Sequence, residues 1–292
     1  MPNMSYMPSP FSIVIPVKNE AANLAFCLES VVAFDDVIVV DSESTDGTRQ
    51  IAEKYGREVV DFKWNGTFPK KRNWVLRTHT FKYPWVLFLD ADERLTPLFV
   101  SEAARTLPTT PHNVFRIGYR NWFMGNLLRY GDPMRKTALV RIGHGEYERV
   151  LEEGWSPLDM EVHEQLVAEG SEGVINAKLE HHDKKDLHTY YVRHNDYSTW
   201  EAKRYLALTD ETRLTRRQRL KYRMLTWPIF PVMYFLMSYL VKGGFMDGRA
   251  GFYFAVGKMA YFYQIQAKIA EQKKKHKPQR RETQIGETNT EW

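Results

Sequence analysis

Residues 85–89 (WVLFL) form an apolar run that ends in Asp90, Ala91, Asp92 and Glu93. Two carboxylates one residue apart at a strand end can meet one divalent ion and a nucleotide together. A hard cation such as Mg2+ or Mn2+ takes oxygen ligands and bridges readily to phosphate. On its own the run would equally suit a solvated turn, but two similar ends lie upstream. Residues 37–41 (VIVVD) close on Asp41, and residues 11–17 (FSIVIPV) are followed by Lys18, Asn19 and Glu20. A carboxylate in the position of Asp41 can accept hydrogen bonds from a ribose or a base. Asp46 and Gly47 just beyond it also suit a helix cap and a turn, so this stretch carries both readings.

The elements that must position these groups follow from periodicity. Short β-branched runs at 11–17, 37–41, 59–64 and 85–89 read as strands. Helices are expected between them at 21–33, from about 46 to 55, at 70–78 and after Thr96-Pro97, with Pro69 and Pro97 in favoured early positions. Strands apolar on both faces that alternate with helices imply a parallel sheet covered on both sides. In such sheets ligands bind outside the carboxyl ends of the strands. The three polar clusters therefore converge on one rim. Further on, 114–119 and 137–142 look like strands, 162–166 (VHEQL) is strand-like, and 187–208 reads as a helix.

At this level of detail the chain resembles a known family. The runs SIVIPVKNEAANL, VIVVDSESTDGT, KKRNWVL and LFLDADE are similar to the glycosyltransferase family 2 pattern. Residues 70–73, 121–125 and 162–164, with the run GGFMDGRAGFYFAVGKMAYF, resemble the lipopolysaccharide core β-1,4-glucosyltransferase group. The likeness spans roughly residues 11–270. It implies a GT-A fold: Rossmann-like, α/β, with a mostly parallel sheet and helices on both faces. It also implies a nucleotide-sugar donor (UDP-glucose for this group) and a divalent cation, Mn2+ or Mg2+. By position it implies that Pro16, Val17 and Glu20 line the base pocket and that Asp41 holds base or ribose. Lys71 and Arg72 would face the diphosphate or sugar; Asp90 would contact ribose and metal, and Asp92 would bind the metal directly. Some GT-A enzymes add a downstream histidine as third ligand, for which His182 is the candidate.

Inverting transfer needs a general base that removes the acceptor hydroxyl proton. Asp159, Glu161, His163 and Glu164 are the candidates on the acceptor side. In a strand His163 and Glu164 would point to opposite faces. Family members of this kind use the acidic member of such a pair, which selects Glu164. A zinc site is not expected: Cys27 is the one cysteine, and the histidines fit no HExxH helix.

Net charge sharpens the division of the chain. The total of +5 splits into −6 over residues 1–212 and +11 over residues 213–292. An acidic body argues against a nucleic-acid role, and a basic tail suggests an anionic docking surface. Residues 213–223 hold six cations, 224–241 hold no charge, and a second basic run follows at 273–281. As one straight helix, 224–241 would reach about 27 Å, short of the roughly 30 Å of a bilayer core, and Pro228 and Pro231 interrupt it. A single crossing would also strand one basic run on the far side. The expectation is an in-plane or re-entrant element, with aromatic helix 252–270 at the interface. The expected layout is a disordered 1–10, a GT-A body over 11–212, membrane-associated helices over 213–272 and a polar tail over 273–292.

The expected function is inverting hexosyl transfer from a nucleotide-diphosphate sugar to a lipopolysaccharide-core or other lipid-linked acceptor. The expected place is the cytoplasmic face of the inner membrane. The rivals are a non-catalytic membrane-bound scaffold of the same fold and a sugar nucleotidyltransferase. The second would want a Gly-rich basic loop after the first strand, and VKNEAANL is not one.

Overall fold

A computed structural model describes residues 9–150, 155, 156, 158–161, 164–208, 214 and 216–275. Four parallel strands form one half of the main sheet, in the spatial order β3-β2-β1-β4: β1 (Ser12–Val17), β2 (Val37–Asp41), β3 (Glu58–Asp61) and β4 (Trp85–Phe88). Helices α1 (Ala21–Glu29), α2 (Thr48–Lys54), α3 (Lys71–Thr78) and α4 (Pro97–Thr106) connect and flank them. The apolar runs are continuous because both faces are covered. Ile13, Ile15 and Val17 pack with Leu24 and Leu28 of α1 and Phe99 of α4. Val14, Ile38, Val40 and Phe88 pack on the other face with Val75 of α3. Each such side chain contributes roughly 1.5–3 kcal/mol by leaving water, so the strand ends that carry the polar clusters rest on a rigid support.

The second half of the sheet is mixed. β6 (Val114–Phe123) and β8 (Arg135–Arg141) fall where strands were expected, and β8 runs antiparallel between β4 and β6. β11 (Glu172–His181) lies parallel to β6, and the short β5 (Glu93–Arg94) pairs antiparallel with the end of β11. That last pairing brings the segment after β4 against the carboxyl end of β11. β7 (Asn126–Leu128) folds back on β6, while β9 (Gly145–Tyr147) and β10 (Leu166–Ala168) make a separate two-stranded ladder. The strand-like reading of 162–166 is corrected: among the described residues the strand starts at Leu166, and Asp159 and Met160 lie in a bend. Glu161 and Glu164 lie outside any strand, because their carboxylates are used by α3 and Lys70.

The remaining helices form a layer beside this sheet. α5 (Leu187–Ala207) packs along α8 (Gly248–Lys275), and α6 (Arg216–Leu225) and α7 (Phe230–Leu236) close a cluster with them. Ala202, Tyr222, Leu225, Phe230, Ile265 and Ile269 are its buried members. The uncharged run does not form one helix: α6 ends at Leu225, Pro231 opens α7, and a π-helical turn (Met237–Val241) follows. Among the described residues no helix is long and apolar enough to cross a membrane. A 3-10 turn (Gly244–Asp247) leads into α8 and presses on it: a Cβ at Gly251 would lie 2.1 Å from the Gly244 carbonyl oxygen.

Candidate active site

A cleft of about 1230 Å3 opens at the carboxyl ends of β1 and β4 and continues between β6, the β11–α5 connection and α8. Pro16, Val17, Glu20, Lys71, Arg72, Asp90, Asp92, Asp159 and His182 all line it. Asp41 does not; its carboxylate accepts hydrogen bonds from the Ser44 N–H (3.3 Å) and hydroxyl (2.5 Å).

Helix α3 supplies two cations to the cleft wall, Lys71 and Arg72. Its N-terminus is capped from far away: Glu161 accepts the N–H groups of Arg72 (2.9 Å) and Asn73 (3.0 Å) with its two carboxylate oxygens. Four orphan N–H groups at a helix start favour an anion there. This cap fixes Lys71 and Arg72. The buried Lys71 ammonium donates to the Val17 carbonyl (2.8 Å) and lies 3.4 Å from Asp159. Burial lowers the Lys71 pKa despite the nearby Asp159 charge. Arg72 donates to the Glu161 carbonyl (2.5 Å) and to Asp90 (2.6 Å), with its guanidinium over the Tyr147 ring.

The acidic cluster is tied to Lys136 of β8. The Lys136 ammonium reaches Asp90 at 2.5 Å and Glu93 at 2.7 Å. Burial pushes Asp90 up, but Lys136 and Arg72 outweigh it and hold the carboxyl well below the usual carboxylate range. Burial pushes Glu93 up to about 7. Glu93 also accepts the Asp90 N–H (3.1 Å), so it sits beneath the site and braces it.

Asp92 faces His181, whose Nε2 lies 3.4 Å from Asp92 Oδ2 while its Nδ1 meets the Asn121 side chain at 2.8 Å. Burial lowers the His181 pKa, and the Asp92 charge more than reverses this, for a net rise. The expected ligand His182 is placed differently: its ring stacks on Trp122 at 5.3 Å and meets Phe26 edge-on at 6.0 Å. Antiparallel pairing with β5 sets His181 opposite Glu93 and thereby turns the next ring away. Asp90, Asp92 and Glu93 present oxygens within 4.8 Å of one another. Such an oxygen set with one imidazole fits Mg2+ or Mn2+ and lacks the sulfur or multiple histidines of zinc sites.

The base candidates separate. Asp159 lines the cleft beside Lys71. Glu161 is the α3 cap. Glu164 is buried and paired with Lys70 at 2.8 Å, in a small cavity that shares Glu161 with the cleft wall. His163 lies outside the described residues.

Lys136 and the clip around Glu20 had no local signal in the sequence, whereas His181 stood beside the chosen His182 in the run His181-His182-Asp183. Glu20 binds Lys185 (2.7 Å) and Asn23 (2.9 Å), Asn23 donates to Asp183 (3.1 Å), and Arg193 of α5 also binds Asp183 (2.5 Å). These bonds clip α1 to the β11–α5 connection. Burial raises the Glu20 pKa against the pull of Lys185.

Comparison with known proteins fits this geometry. Residues 12–151 match the profile of Glycosyl transferase family 2. The lipopolysaccharide core biosynthesis glycosyltransferase LpsC of Rhizobium meliloti is 28% identical over 89% of this chain and 92% of its own. An uncharacterized glycosyltransferase of Rickettsia felis is 27% identical over 81% and 83%. In fold, the mannosyltransferase of Pyrobaculum calidifontis solved with GDP-Man and Mn2+ aligns with a TM-score of 0.51 at 12% identity, over 91% of this chain and 88% of that one. Residues 12–151 thus carry the glycosyltransferase family 2 match, and over most of its length the chain is similar to a lipopolysaccharide core glycosyltransferase.

Proposed function

We propose that this protein is a metal-dependent inverting hexosyltransferase that uses a nucleotide-diphosphate sugar and a lipopolysaccharide-core or other lipid-linked acceptor. The observation that carries the proposal is one cleft that joins Lys71 and Arg72 to Asp90, Asp92 and His181. The nucleoside lies at the ends of β1 and β2, against Pro16 and Val17, with Glu20 beside it and Asp41 behind the β2 turn. Lys71, Arg72 and Lys136 bring positive charge to the diphosphate. Asp92 and His181 hold the divalent ion, with Asp90 alongside. The ion supplies charge stabilisation to the departing diphosphate. UDP-glucose is the proposed donor, by likeness to the core glucosyltransferases. Likeness to LpsC, a lipopolysaccharide core biosynthesis glycosyltransferase, supports the acceptor class.

Glu164 is the proposed general base. Glu164 is buried against Lys70, so acting as base requires it to exchange that partner for the acceptor hydroxyl. A carboxylate released from an ammonium regains basicity as it meets the acceptor hydroxyl. The workplace is the cytoplasmic face of the inner membrane, where nucleotide sugars and nascent lipid-linked glycans meet.

The test is a panel of UDP- and GDP-sugars offered with Mn2+ or Mg2+, with mass analysis of the glycolipid product. Asp92→Asn is expected to abolish transfer. Glu164→Gln is expected to keep donor binding and lose transfer by about 10²–10⁴-fold. Asp159→Asn is expected to change donor KM instead. Full transfer by Glu164→Gln with loss in Asp159→Asn would move the base to Asp159. Equal inactivity of wild type and Asp92→Asn on every donor would overturn the enzyme assignment.

A further inference from the structure

The layer that packs beside the cleft has two faces. Inward, Phe230, Pro231, Ile265 and Ile269 are buried. Outward, α7, the π-helical turn and the 3-10 turn expose large apolar side chains side by side. Ile229 is 59% exposed, Leu240 53% and Val241 74%, with Trp227, Leu236 and Phe245 also exposed. Isolated exposed leucines need no explanation, but a continuous apolar surface of this kind marks an interaction face.

The charges around it narrow the occupant. Arg223, Lys242 and Arg249 are exposed in the same stretch of chain, Lys242 lying 3.9 Å from Asp132. Between residues 224 and 270 the one acidic residue is Asp247, and its carboxylate accepts the N–H groups of Arg129 and Tyr130, both at 3.0 Å. A second copy docked through this face would set Arg223 and Arg249 against their own counterparts. An anionic lipid headgroup layer answers the cations and takes up the apolar side chains at once. No described helix is long and apolar enough to span a bilayer, so a bilayer occupant would be met from one side.

We infer that this face is a monotopic membrane-docking surface for anionic bilayers and that it sets the acceptor end of the cleft at the headgroup level. The connection is built into single elements. On α8, Phe252 and Tyr253 are exposed while Phe254 and Lys258 line the cleft. Phe254 meets Phe123 of β6 at 5.3 Å, and β7 packs on the Gly244–Asp247 turn. The Tyr234 hydroxyl donates to Asp132, also in the cleft wall. Glycan in the cleft and lipid in the bilayer are thus reached without extracting the acceptor from the membrane. The naming of the acceptor end rests on the sugar-transfer proposal; the docking itself does not.

The experiment is flotation of the full-length chain with vesicles of phosphatidylcholine alone or with about 30% phosphatidylglycerol. The expected result is binding to the anionic vesicles, reduced at least about tenfold in an Ile229→Glu/Val241→Glu variant. That variant is expected to keep wild-type size on gel filtration, Tm and binding of UDP with Mn2+. Wild type that floats with neither vesicle, or a variant that floats as well as wild type, overturns the inference. So does a wild type that dimerises without lipid while the variant is monomeric, because the occupant is then a second copy. Vesicle binding needs no donor, so inactivity on every sugar nucleotide would sink the transfer proposal and leave docking intact.

Discussion

Glu161 was a candidate base by sequence, and the structure makes it a cap, which gives a sharp test. Replace it with Gln. The carboxylate accepts two N–H groups, from Arg72 at 2.9 Å and Asn73 at 3.0 Å. An amide keeps one acceptor oxygen and turns an NH2 toward the other donor. One buried N–H is then unsatisfied, which costs about 1–3 kcal/mol. Loss of the negative charge at the α3 N-terminus removes a further ~0.3–1 kcal/mol. The expected destabilisation is about 1.5–4 kcal/mol, and at roughly 2–4 °C per kcal/mol the Tm falls by about 3–15 °C. The damage is directional, because the same cap fixes Lys71 and Arg72. Their displacement should lower kcat/KM for the donor by roughly ten- to a hundredfold. The assay pairs thermal denaturation with donor-dependent transfer kinetics. An unchanged Tm with turnover lost by more than about 10³-fold would refute the reasoning and return Glu161 to the chemistry.

His181→Ala should weaken Mn2+ binding, measured by paramagnetic titration, while His182→Ala should leave it intact and lower stability by about 0.5–1.5 kcal/mol per lost ring contact; the reverse outcome would exchange their roles. Glu102 of α4 accepts the N–H groups of Asn176 (2.9 Å) and Ala177 (2.8 Å) at an irregularity of β11. Burial pushes Glu102 up, but these bonds outweigh it and hold the pKa below 4.5. A depressed acid contributes stability above its unfolded pKa and loses it as pH falls through the folded value. Glu102→Gln should therefore be less stable than wild type by about 1–2 kcal/mol at neutral pH, and urea titrations should converge below pH 4.5. A gap that persists in acid would mean that packing, not charge, holds the bulge.

The legible parts of the fold were those encoded by local pattern. The runs at 11–17, 37–41 and 85–89 are apolar apart from Ser12 and the terminal Asp41 because helices cover both faces, so strands, their ends and the rim could all be read. Of the rim groups, Glu20, Asp90 and Asp92 line the cleft and Asp41 does not. What could not be read depends on pairings across the chain. Lys136 meets Asp90 because β8 slots antiparallel beside β4, and nothing near Lys136 announces that neighbour. The choice between His181 and His182 turns on strand parity, and β11 shifts register between Ile175 and Leu179. Asp41, at a strand end as expected, turns to Ser44 because the next residues offer it two donors.

The packing of α5 on α8 has a consequence for recombination. Ala202 on α5 and Ile265 and Ile269 on α8 share one buried cluster with Leu225 and Phe230. A crossover placed near residue 212, where the charge changes sign, would part Ala202 from the other buried members of that cluster. Phe254 and Lys258 would leave with the C-terminal piece and take part of the cleft wall with them. Chimaeras between relatives are therefore expected to tolerate exchange of the two ends only as a matched set, so that changes in acceptor choice and in membrane contact are inherited together.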